Sequence, residues 1–589
     1  MLRMKEKITV SFNNKEHRVD PGQTIMQAAD KLGFHIPRLC YHPKLSIEGA
    51  CRVCIVEVEG SKNYVASCAT PIAEGMKIHT DTLELRRARR DIVELILDNH
   101  PQDCHTCERD GSCELQRLSA KMGIRGRHFE GEMKSYEEDL SSEAVVRNPN
   151  KCILCGRCVR MCSQIQKVSN LGLAGRGFKT VVMPAFDMPM KDSVCTACGQ
   201  CINICPTAAF LEKAYIDEIY QALNDPDVVK VVNVAPSVRA SIGESFGYDP
   251  GTNTEGKMFA AMRKLGFDYV FDSQFTADLT IMEEASELVD RIQNGGVLPM
   301  ITSCSSGWMK CVEQFYPELL PNISTCKSPM SMMGALIKSY FAEQNNYDPK
   351  KIINVGVMPC TAKKYEAARP ELKVNGVNAT DYVLTTREFA WMVKSSAIDF
   401  RNLDSELPDN PLGSSSGAGA IFGATGGVME AAIRTAYYIV TGKELDYLDV
   451  QSARGLNGVK ESLIDFDGLE LRVAVAHGLG NAAKLLDHVK QNPERYHFVE
   501  IMGCPGGCVG GGGQPYPLTN SIPLDEECLA KRASVLYDID RDKPDRRSHD
   551  NPDIKKLYNE YLGEPLGKKS HKLLHTHYEQ KFPKGIFEK

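Results

Sequence analysis

The chain has 589 residues, of which 42% are hydrophobic and 25% are charged. This length permits roughly three to five globular domains with large buried cores. The net charge of −6 is too small to indicate a nucleic-acid partner. The sequence has no apolar run of about 18 residues and no export signal, so we expect a cytoplasmic protein without membrane-spanning segments.

Residues 1–80 predict a small α+β domain with a [2Fe-2S] cluster. Two strand-like runs, KITVSFNN and KEHRVD, precede a helix-like run that ends at Gly33. The pattern resembles the β-grasp fold of plant-type ferredoxins, but the cysteine spacing is similar to that of complex I-type subunits. A zinc site is the alternative. Four thiolates are available for the cluster, from Cys40, Cys51, Cys54 and Cys68.

Residues 81–140 carry a second motif, H-x3-C-x2-C-x5-C. It resembles the [4Fe-4S] site with one histidine and three cysteine ligands in the same complex I-type subunits. A histidine ligand raises the reduction potential of a cluster. We therefore predict that His100 is a ligand and that His105 is a loop residue. The predicted ligand set is His100, Cys104, Cys107 and Cys113.

Residues 141–215 contain two copies of the most specific motif in the chain, C-x2-C-x2-C-x3-C. In the reducing cytoplasm such cysteines are typical of metal ligands rather than disulfides. In bacterial two-cluster ferredoxins the fourth cysteine of each run binds the other cluster. One [4Fe-4S] cluster therefore has the predicted ligands Cys152, Cys155, Cys158 and Cys205. The other has Cys195, Cys198, Cys201 and Cys162.

After Pro206 the pattern becomes α/β. Short β-branched runs such as DVVKVVNVAP and IINVGVMP alternate with long amphipathic stretches such as ADLTIMEEASELVDRIQNG. This alternation predicts strand-helix units around a parallel sheet. Three of the runs end in loops that contain Cys304, Cys360 and Cys504. Because open α/β sheets place their sites at the carboxyl ends of strands, these loops predict the functional site.

The three loops resemble the active-site motifs of [FeFe]-hydrogenases. They read TSCSSGW (302–308), MPCTAKKYE (358–366) and EIMGCPGGCVGGGGQP (500–515). The resemblance covers the whole chain, because the amino-terminal cluster domains and a tail with the motif SHKLLHTHY are also similar to the large modular members of this family. It implies a large α/β hydrogenase domain at 225–520 and a small helical domain at 525–589.

In this family a six-iron H-cluster joins a [4Fe-4S] cube to a diiron unit through a bridging cysteine. The resemblance implies that Cys360, Cys504 and Cys508 are ligands, with Cys508 as the bridge. It also implies that Lys363 hydrogen-bonds a cyanide of the diiron unit. The positions that line the diiron pocket are matched by Ala235, Pro236, Met358, Phe422 and Met502. A proton route to the surface is matched by Cys304, Glu284, Ser324, Glu287 and Arg291.

The first loop departs from the family pattern. The family has two adjacent cysteines followed by proline, of which the first cysteine relays protons and the second binds the cube. Here Cys304 is followed by Ser305 and Ser306. Three interpretations are open at this point: Ser305 binds iron as an alkoxide, Cys304 becomes the fourth thiolate, or the H-cluster is absent or altered.

The resemblance implies a catalytic subunit that interconverts H2 with protons and electrons. It is similar to the multisubunit type that couples to NAD(P)H and ferredoxin and that includes electron-bifurcating enzymes. The implied cofactors are one [2Fe-2S] cluster, three [4Fe-4S] clusters and the H-cluster. The implied partners are a flavin- and NAD(P)-binding iron-sulfur subunit, a small thioredoxin-like [2Fe-2S] subunit and ferredoxin, in a hetero-oligomer. The alternative is a non-catalytic electron-transfer subunit of a formate dehydrogenase or NADH-linked complex, with a degenerate site at Ser305.

Overall fold

A computed structural model describes residues 6–129, 131–410, 412–517 and 522–582. Within these ranges, a five-stranded sheet and two two-stranded sheets in the first 212 residues precede two four-stranded sheets with many helices. This order confirms the predicted fold class, in which α+β cluster domains are followed by a large α/β domain and a helical tail.

The first domain is a mixed five-stranded sheet with one helix packed on it. Strand β1 pairs antiparallel with β2 and parallel with β5, and the strand order is β2-β1-β5-β3-β4. Helix α1 (Ile25–Lys31) begins at a capping box between Thr24 and Gln27, which satisfies two free backbone amides. The strands are β1 (Ile8–Phe12), β2 (Lys15–Val19), β3 (Ile55–Val58), β4 (Val65–Ala66) and β5 (Lys77–His79).

The next two cluster regions are built mainly from loops between short elements. Helices α2 (Leu83–Asp98) and α3 (Glu114–Lys121) flank the loop with the histidine motif. In the two-cluster region, strand β6 pairs antiparallel with β9, and a separate hairpin joins β7 to β8. The remaining elements are β6 (Val145–Arg147), α4 (Arg157–Arg160), β7 (Gly172–Ala174), β8 (Val181–Met183), α5 (Gln200–Ile204) and β9 (Phe210–Glu212).

The large domain contains two four-stranded sheets rather than one parallel sheet. The first is wholly parallel, with the order β11-β10-β13-β14. The second has the order β12-β17-β16-β15, and β15 runs antiparallel to β16. The first sheet consists of β10 (Val229–Val234), β11 (Tyr269–Asp272), β13 (Ile352–Met358) and β14 (Tyr382–Thr385). The second consists of β12 (Met300–Ile301), β15 (Val459–Phe466), β16 (Leu469–His477) and β17 (Phe498–Met502).

Helix α8 (Ser273–Asn294) is the longest of the described helices and is buried along most of its length. Asp272 caps its start, and Gly295 ends it in the left-handed conformation that favours glycine. It packs against α10, α14 and α15. The other helices of this region are α6 (Ile216–Asn224), α7 (Glu255–Leu265), α9 (Ser306–Phe315), α10 (Pro329–Leu336), α11 (Ala342–Asn345), α12 (Ala362–Ala367), α13 (Thr386–Ser395), α14 (Gly417–Ile421), α15 (Gly427–Thr441) and α16 (Leu479–Gln491).

The carboxy-terminal part wraps around the large domain as three helices, α17 (Glu526–Asp542), α18 (Pro552–Leu557) and α19 (Lys568–Leu574). Leu557 and Leu574 join the buried core that also contains Phe275 of α8. In the part of the chain that the structure describes, every helix is too short or too polar to cross a bilayer.

Candidate metal centres and active site

The four cysteines of the first domain lie together in two pairs. The Sγ atoms of Cys54 and Cys68 are 3.4 Å apart. Cys40 and Cys51 form the second hydrogen-bonded pair, and the bond from Cys40 lowers the pKa of Cys51 to about 6. Four thiols in such proximity fit the donor set of a [2Fe-2S] cluster.

His100 is buried directly after helix α2. Burial lowers its pKa to about 4, so the imidazole is neutral at pH 7, which is the form that binds metals. Its Nδ1 atom is buried and has no hydrogen-bond partner among the described residues. Cys104 and Cys107 follow in one short 3-10 turn, and Cys113 caps helix α3. The orphaned ring nitrogen fits a metal ligand.

The two ferredoxin runs exchange their last cysteines. Burial raises the pKa of Cys158 well above its ordinary value, and charge effects from Cys155, Cys152 and Cys205, and then from Cys201, raise it further. Burial also raises the pKa of Cys201 well above its ordinary value, and charge effects from Cys195, Cys198 and Cys162, and then from Cys205, raise it further. The structure therefore brings together the two predicted ligand sets, while the binding of iron by these sets stays a prediction.

The three motif loops of the large domain come from both sheets. Strand β13 of the first sheet ends at Met358, two residues before Cys360. In the second sheet, β12 ends before Cys304 and β17 ends at Met502, before Cys504. The predicted position at strand carboxyl ends agrees with the structure, but the site needs two sheets to assemble it.

Cys360, Cys504 and Cys508 form one partly buried thiol group. Burial raises the pKa of Cys504 well above its ordinary value, and Cys360, Cys198 and Cys508 raise it further. Burial also raises the pKa of Cys508 to about 12, with Cys360 adding to the effect. Thiols that oppose one another's ionisation are stabilised by an iron cation, which binds them as thiolates. The residues present therefore fit a cube beside Cys198 of the ferredoxin region.

The glycines of the third motif allow backbone to pack directly on backbone. A Cβ atom on Gly511 would lie 2.1 Å from the carbonyl oxygen of Pro359, and one on Gly512 would lie 2.4 Å from that of Cys198. Both distances are far below van der Waals contact. The third loop is thus fixed against the second loop on one side and against the ferredoxin region on the other.

Cys304 and Ser305 point to different neighbours. The amide of Gly503 donates to Ser305 Oγ at 3.0 Å, so Ser305 faces the loop that carries Cys504. Burial raises the pKa of Cys304 well above its ordinary value, and the largest charge effect on it comes from Glu284. Cys304 is thus close enough to Glu284 for the carboxylate to affect its thiol, and the ligand role of Ser305 stays a prediction.

Lys363 forms hydrogen bonds in a buried polar network that contacts the first loop. Its Nζ donates to the carbonyl oxygen of Cys304 at 3.2 Å, to Ser328 Oγ at 2.7 Å and to Glu366 Oε2 at 2.7 Å. Ser306, which stands where the family has proline, also donates to Glu366. This network fixes the ammonium group and satisfies the buried charge.

The predicted proton route combines three residues of α8 with two from later segments. Glu284, Glu287 and Arg291 lie on α8, Cys304 follows β12, and Ser324 follows α9. Arg291 Nη2 donates to Glu287 Oε1 at 2.6 Å, and Ser324 Oγ donates to Glu287 Oε2 at 2.9 Å. Glu284 lies one turn before Glu287 on α8, and its charge affects the Cys304 thiol. Burial raises the pKa of Glu284 to about 8, and Glu287 adds to the effect. Neither carboxylate oxygen of Glu284 has a hydrogen bond of good geometry among the described residues, but Ser324 is close enough to lower its pKa.

The predicted pocket-lining residues are all buried, but they divide between two cores. Ala235 and Met358 belong to the core of the first sheet. Phe422 and Met502 belong to the core of the second sheet, against which Cys304 packs. Pro236 begins the turn that follows β10. Core packing accounts for their burial, and their role beside a diiron unit stays a prediction.

Three functional candidates were missed by sequence reasoning. Glu366 lies within the second motif but had no assigned role. Glu500 opens the third motif and accepts from the amides of Gly426 and Met429 at 2.7 Å, so it caps α15. Lys310 follows the first motif and is buried near Cys195. No local pattern distinguishes these side chains, because their partners lie far away in sequence.

Comparison with known families matches successive regions of the chain to hydrogenase and iron-sulfur domains. Residues 228–512 match the iron only hydrogenase large subunit, C-terminal domain, and 525–581 match the iron hydrogenase small subunit. The amino-terminal matches are a 2Fe-2S iron-sulfur cluster binding domain (5–83), the NADH-ubiquinone oxidoreductase-G iron-sulfur binding region (89–128) and a 4Fe-4S dicluster domain (132–209). The fold and the thiol groups thus define an iron-sulfur oxidoreductase with several cluster domains ahead of its catalytic domain.

Two individual relatives align with nearly the whole chain. The NADP-reducing hydrogenase subunit HndD of Solidesulfovibrio fructosivorans is 48% identical, with 97% of this chain and 98% of the relative covered. Iron hydrogenase 1 of Clostridium pasteurianum is 40% identical, with 97% and 100% covered. A variant of the [FeFe]-hydrogenase HydA1 from Chlamydomonas reinhardtii superposes with a TM-score of 0.56 at 41% identity, covering 63% of this chain and 100% of that one. The chain belongs to the [FeFe]-hydrogenase family, as the motifs predict.

Proposed function

We propose that this chain is the hydrogen-converting subunit of a multisubunit enzyme and interconverts H2 with protons and electrons. The observation that carries the proposal is the partly buried group of Cys360, Cys504 and Cys508 beside Cys304, which connects to the carboxylates of α8. When bound, the H-cluster supplies the redox chemistry that forms or splits H2.

The protein's own residues supply and remove the proton. Cys304 exchanges a proton with Glu284, whose raised pKa of about 8 keeps it protonated, and therefore able to donate, at pH 7. Ser324 and Glu287 pass the proton onward, and Arg291 holds Glu287 in place near the surface. The core around Phe422 and Met502 excludes water from the reacting thiol.

We also propose that Ser305 provides the fourth ligand of the cube. Its hydroxyl already faces the Cys504 loop through Gly503, whereas Cys304 is next to Glu284 and remains free to relay protons. Serine oxygen is a harder ligand than cysteine sulfur, and we therefore expect a lower reduction potential for this cube than for a four-cysteine cube.

The amino-terminal cluster sites form the electron path in this proposal. They comprise one [2Fe-2S] site and three [4Fe-4S] sites in domains bounded near residues 80, 140 and 215. The flavin and nicotinamide chemistry belongs to partner subunits, in a cytoplasmic hetero-oligomer that includes a flavin- and NAD(P)-binding subunit and a small [2Fe-2S] subunit. The relative named as an NADP-reducing hydrogenase subunit supports this arrangement.

Infrared spectroscopy of the anaerobically purified, matured complex tests the proposal. Bands of iron-bound CO and cyanide, together with H2-dependent reduction of methyl viologen, are the expected result. The absence of both, with iron sufficient only for the amino-terminal sites, would leave a non-catalytic electron-transfer subunit instead. Ser305→Cys should keep the bands and raise the cube potential, which separates the ligand proposal from the hydrogenase proposal.

A further inference from the structure

The proton route through Glu284 and Glu287 ends at a group that cannot relay protons. Arg291 donates to Glu287 from Nε and from Nη2. Its other N–H groups donate to the backbone carbonyl oxygens of Val297, Pro321, Asn322 and Ile323. A guanidinium group keeps its protons in proteins, so Arg291 holds Glu287 in place but takes no proton from it. Another group must therefore carry the proton of Glu287 to solvent.

His575 lies close to Glu287, directly after helix α19. One of its ring nitrogens, the Sγ atom of Cys326 and a carboxylate oxygen of Glu287 are within 4.8 Å of one another. Two hydrogen bonds in series span about 5–6 Å, so a single hydroxyl group or water molecule can bridge this distance. Thr325 places a hydroxyl group beside both residues, since its Oγ1 is 2.8 Å from His575 Nδ1 and its amide donates to Glu287 Oε2 at 3.0 Å.

Glu283 determines which ring nitrogen of His575 can take up a proton. Its Oε2 is 3.0 Å from His575 Nε2, and both side chains are buried. Glu283 also accepts from the Tyr558 hydroxyl group and from the amide of Leu566. A carboxylate with these donors accepts the Nε2 proton of the ring, which leaves Nδ1 as the acceptor on the side of Thr325. The same carboxylate stabilises the imidazolium that forms when Nδ1 is protonated.

Two other titratable groups in this cluster keep their protons. Burial raises the pKa of Cys326 well above its ordinary value, and the charge of Glu287 raises it further. Burial and then the charge of Glu283 raise the pKa of Tyr558 in the same way. A thiol and a phenol that stay protonated cannot accept a proton from Glu287. An imidazole, in contrast, gains and loses a proton readily near neutral pH.

The backbone holds His575 beside the route and near the surface. Cys326 and His575 form an antiparallel bridge, and the amide of Thr576 donates to the carbonyl oxygen of Thr325 at 2.8 Å. His571, one turn earlier in α19, is exposed, and its ring stacks on that of His575 with the centroids 4.7 Å apart. A proton on His575 is therefore separated from water by one exposed side chain.

We propose that His575 is the proton exit of this enzyme, the residue that carries protons between Glu287 and solvent at the carboxy-terminal end of α19. This assignment rests on the proposed hydrogenase function, because only a catalytic subunit has protons to move along this route. It gives the carboxy-terminal domain a part in turnover in addition to its packing on the large domain.

The proton balance of the exit involves three residues. During H2 oxidation, the O–H bond of Glu287 breaks and its proton passes to the hydroxyl group of Thr325, which gives its own proton to His575 Nδ1. The resulting imidazolium releases a proton to water beside His571 and becomes neutral again. H2 evolution uses the same steps in reverse. No electron moves, and no further reactant is required.

Turnover of the matured complex tests the proton exit. His575→Gln retains a donor for Glu283 and an acceptor for Thr325 but cannot carry a proton. Its kcat for H2 evolution from reduced methyl viologen should fall at least about tenfold at pH 7, the lower end of what a lost proton-transfer group costs. The KM for methyl viologen should stay the same, because the substitution does not touch the electron path.

His549→Gln is the matched control. His549 is also buried in the carboxy-terminal domain, with Thr435 Oγ1 3.1 Å from its Nδ1 and Glu444 Oε2 3.4 Å from its Nε2. It lies outside the proton route, so its variant should keep the kcat of the parent. Equal losses of kcat in His575→Gln and His549→Gln would show that both histidines act only in packing, and the proposal would be wrong.

Chemical rescue separates proton transfer from a structural role. Imidazole added to His575→Gly should restore kcat in proportion to its concentration, because it replaces the missing ring. A folded His575→Gly that does not respond to imidazole would contradict the proposal. Thermal denaturation shows whether this variant folds, and if it does not, the exchange rates of the two glutamine variants decide.

Hydrogen exchange measures the exit without any H2 turnover. The complex is mixed with D2O in the absence of H2 and reductant, and the C=O stretch of the protonated Glu284 carboxyl group is followed by infrared spectroscopy. Glu284→Gln identifies this band by its loss. His575→Gln should slow the exchange about tenfold, whereas His549→Gln should not. An unchanged exchange rate in His575→Gln would refute the proton exit.

The exchange experiment also keeps the two proposals apart. If the parent complex lacks the infrared bands of iron-bound CO and cyanide, the hydrogenase function is wrong, and the exchange rates still decide whether His575 conducts protons. If the bands are present and only the exchange result fails, the hydrogenase function stands and the proton leaves Glu287 at another point.

Discussion

At the scale of single residues, the site depends on a buried carboxyl group that forms no ion pair among the described residues. Glu284 has no hydrogen bond of good geometry there, although Ser324 is close enough to lower its pKa against the effect of burial. Glu287, one turn later, is by contrast bonded to Arg291 and Ser324. A buried acid without an ion-pair partner stays protonated until its neighbour accepts the proton, which suits a relay better than a fixed structural role.

The first prediction concerns turnover. Glu284→Gln keeps the size of the side chain but removes its ionisable proton, and we expect H2 evolution to fall by roughly 10²–10⁴-fold. The infrared bands of the H-cluster should be unchanged. Asp290→Asn makes the same chemical change at an exposed position of α8 and should retain full activity. Activity of Glu284→Gln near that of the parent would contradict the proposed route.

The second prediction concerns stability and pH. The pKa of Glu284 is raised from 4.5 to about 8, so the folded chain holds a proton that the unfolded chain releases between these pH values. Stability therefore falls as the pH rises through this window. Thermal denaturation should show Glu284→Gln gaining stability relative to the parent from pH 5 to pH 8, a trend that Asp290→Asn should lack.

The third prediction concerns a buried cation near the cluster path. Lys310 lies next to Cys195, and its positive charge favours the reduced, more negative cluster. Lys310→Met should lower the potential of that cluster, on the order of 50 mV for one charge at an effective dielectric constant of about 20. The reduction potential of this cluster is measured by potentiometric titration, with electron paramagnetic resonance as the readout. Lys327→Met removes another buried lysine, which bonds Leu573, and should leave this potential unchanged.

The cysteine motifs could be predicted from sequence because ligand spacing is local within each loop. Cys152, Cys155 and Cys158, for example, follow one another at fixed intervals. The contacts of Lys310 and Glu366 could not be predicted from the sequence, because each depends on elements that are distant in the chain and carry no repeated pattern. Ser305 was recognised as a departure, but only its contact with Gly503 distinguishes it from Cys304.

At the scale of elements, helix α9 separates two predicted clusters by a single turn. Ser305 begins the helix and faces the third motif loop. A Cβ on Gly307, two residues later, would be only 3.6 Å from the Cβ of Cys198. The first turn of α9 therefore touches the cube site and a ferredoxin ligand at once. This contact makes the helix a short and rigid spacer for electron transfer.

The fourth prediction tests the packing that holds this spacer in place. In Gly512→Ala, the added Cβ would lie 2.4 Å from the carbonyl oxygen of Cys198, so the third loop must move. We expect a loss of about 1–3 kcal/mol in stability and weaker retention of iron at the cube. Gly126→Ala places its Cβ in open space and should be neutral. Iron content after gel filtration and thermal denaturation measure both effects.

The strand runs were also predictable, but their assembly into sheets was not. The run IINVGVM forms β13, and LRVAVAH lies within β16. The alternation of strands and helices predicts one parallel sheet, whereas Asp467 and Gly468 turn β15 back onto β16 with φ angles of +56° and +99°. This two-residue hairpin of the Asp-Gly type produces the antiparallel edge of a second sheet.

At the scale of the whole molecule, one arginine connects the first domain to the ferredoxin region. Arg160 Nη2 donates to the carbonyl oxygen of Cys40 at 2.8 Å and to that of Cys155 at 3.0 Å. Each cysteine is a predicted ligand of a different cluster. The position of the [2Fe-2S] domain relative to the rest of the electron path is therefore fixed at the ligand loops themselves.

The fifth prediction follows from this connection. Arg160→Met removes charge-assisted hydrogen bonds that are each worth about 1.5–3 kcal/mol, so the two ligand loops should separate more easily. We expect slower electron transfer between the first cluster and the ferredoxin clusters, measured by freeze-quench spectroscopy after reduction of the complex. Arg86→Met, which breaks only an exposed pair with Asp81, should have no effect. Equal rates in the parent protein, Arg160→Met and Arg86→Met would contradict this role of Arg160.

The contact between Gly512 and Cys198 limits how this protein can be divided. The ferredoxin region and the catalytic domain meet backbone to backbone at Gly512 and Cys198, and Thr361 Oγ1 also donates to the carbonyl oxygen of Ala197 at 2.7 Å. A ferredoxin domain from another protein, joined near residue 215, would need the same backbone positions at Ala197 and Cys198 to contact Thr361 and Gly512. Chimeric enzymes should therefore be joined near residue 140, upstream of β6, so that the ferredoxin and catalytic regions are exchanged as one unit.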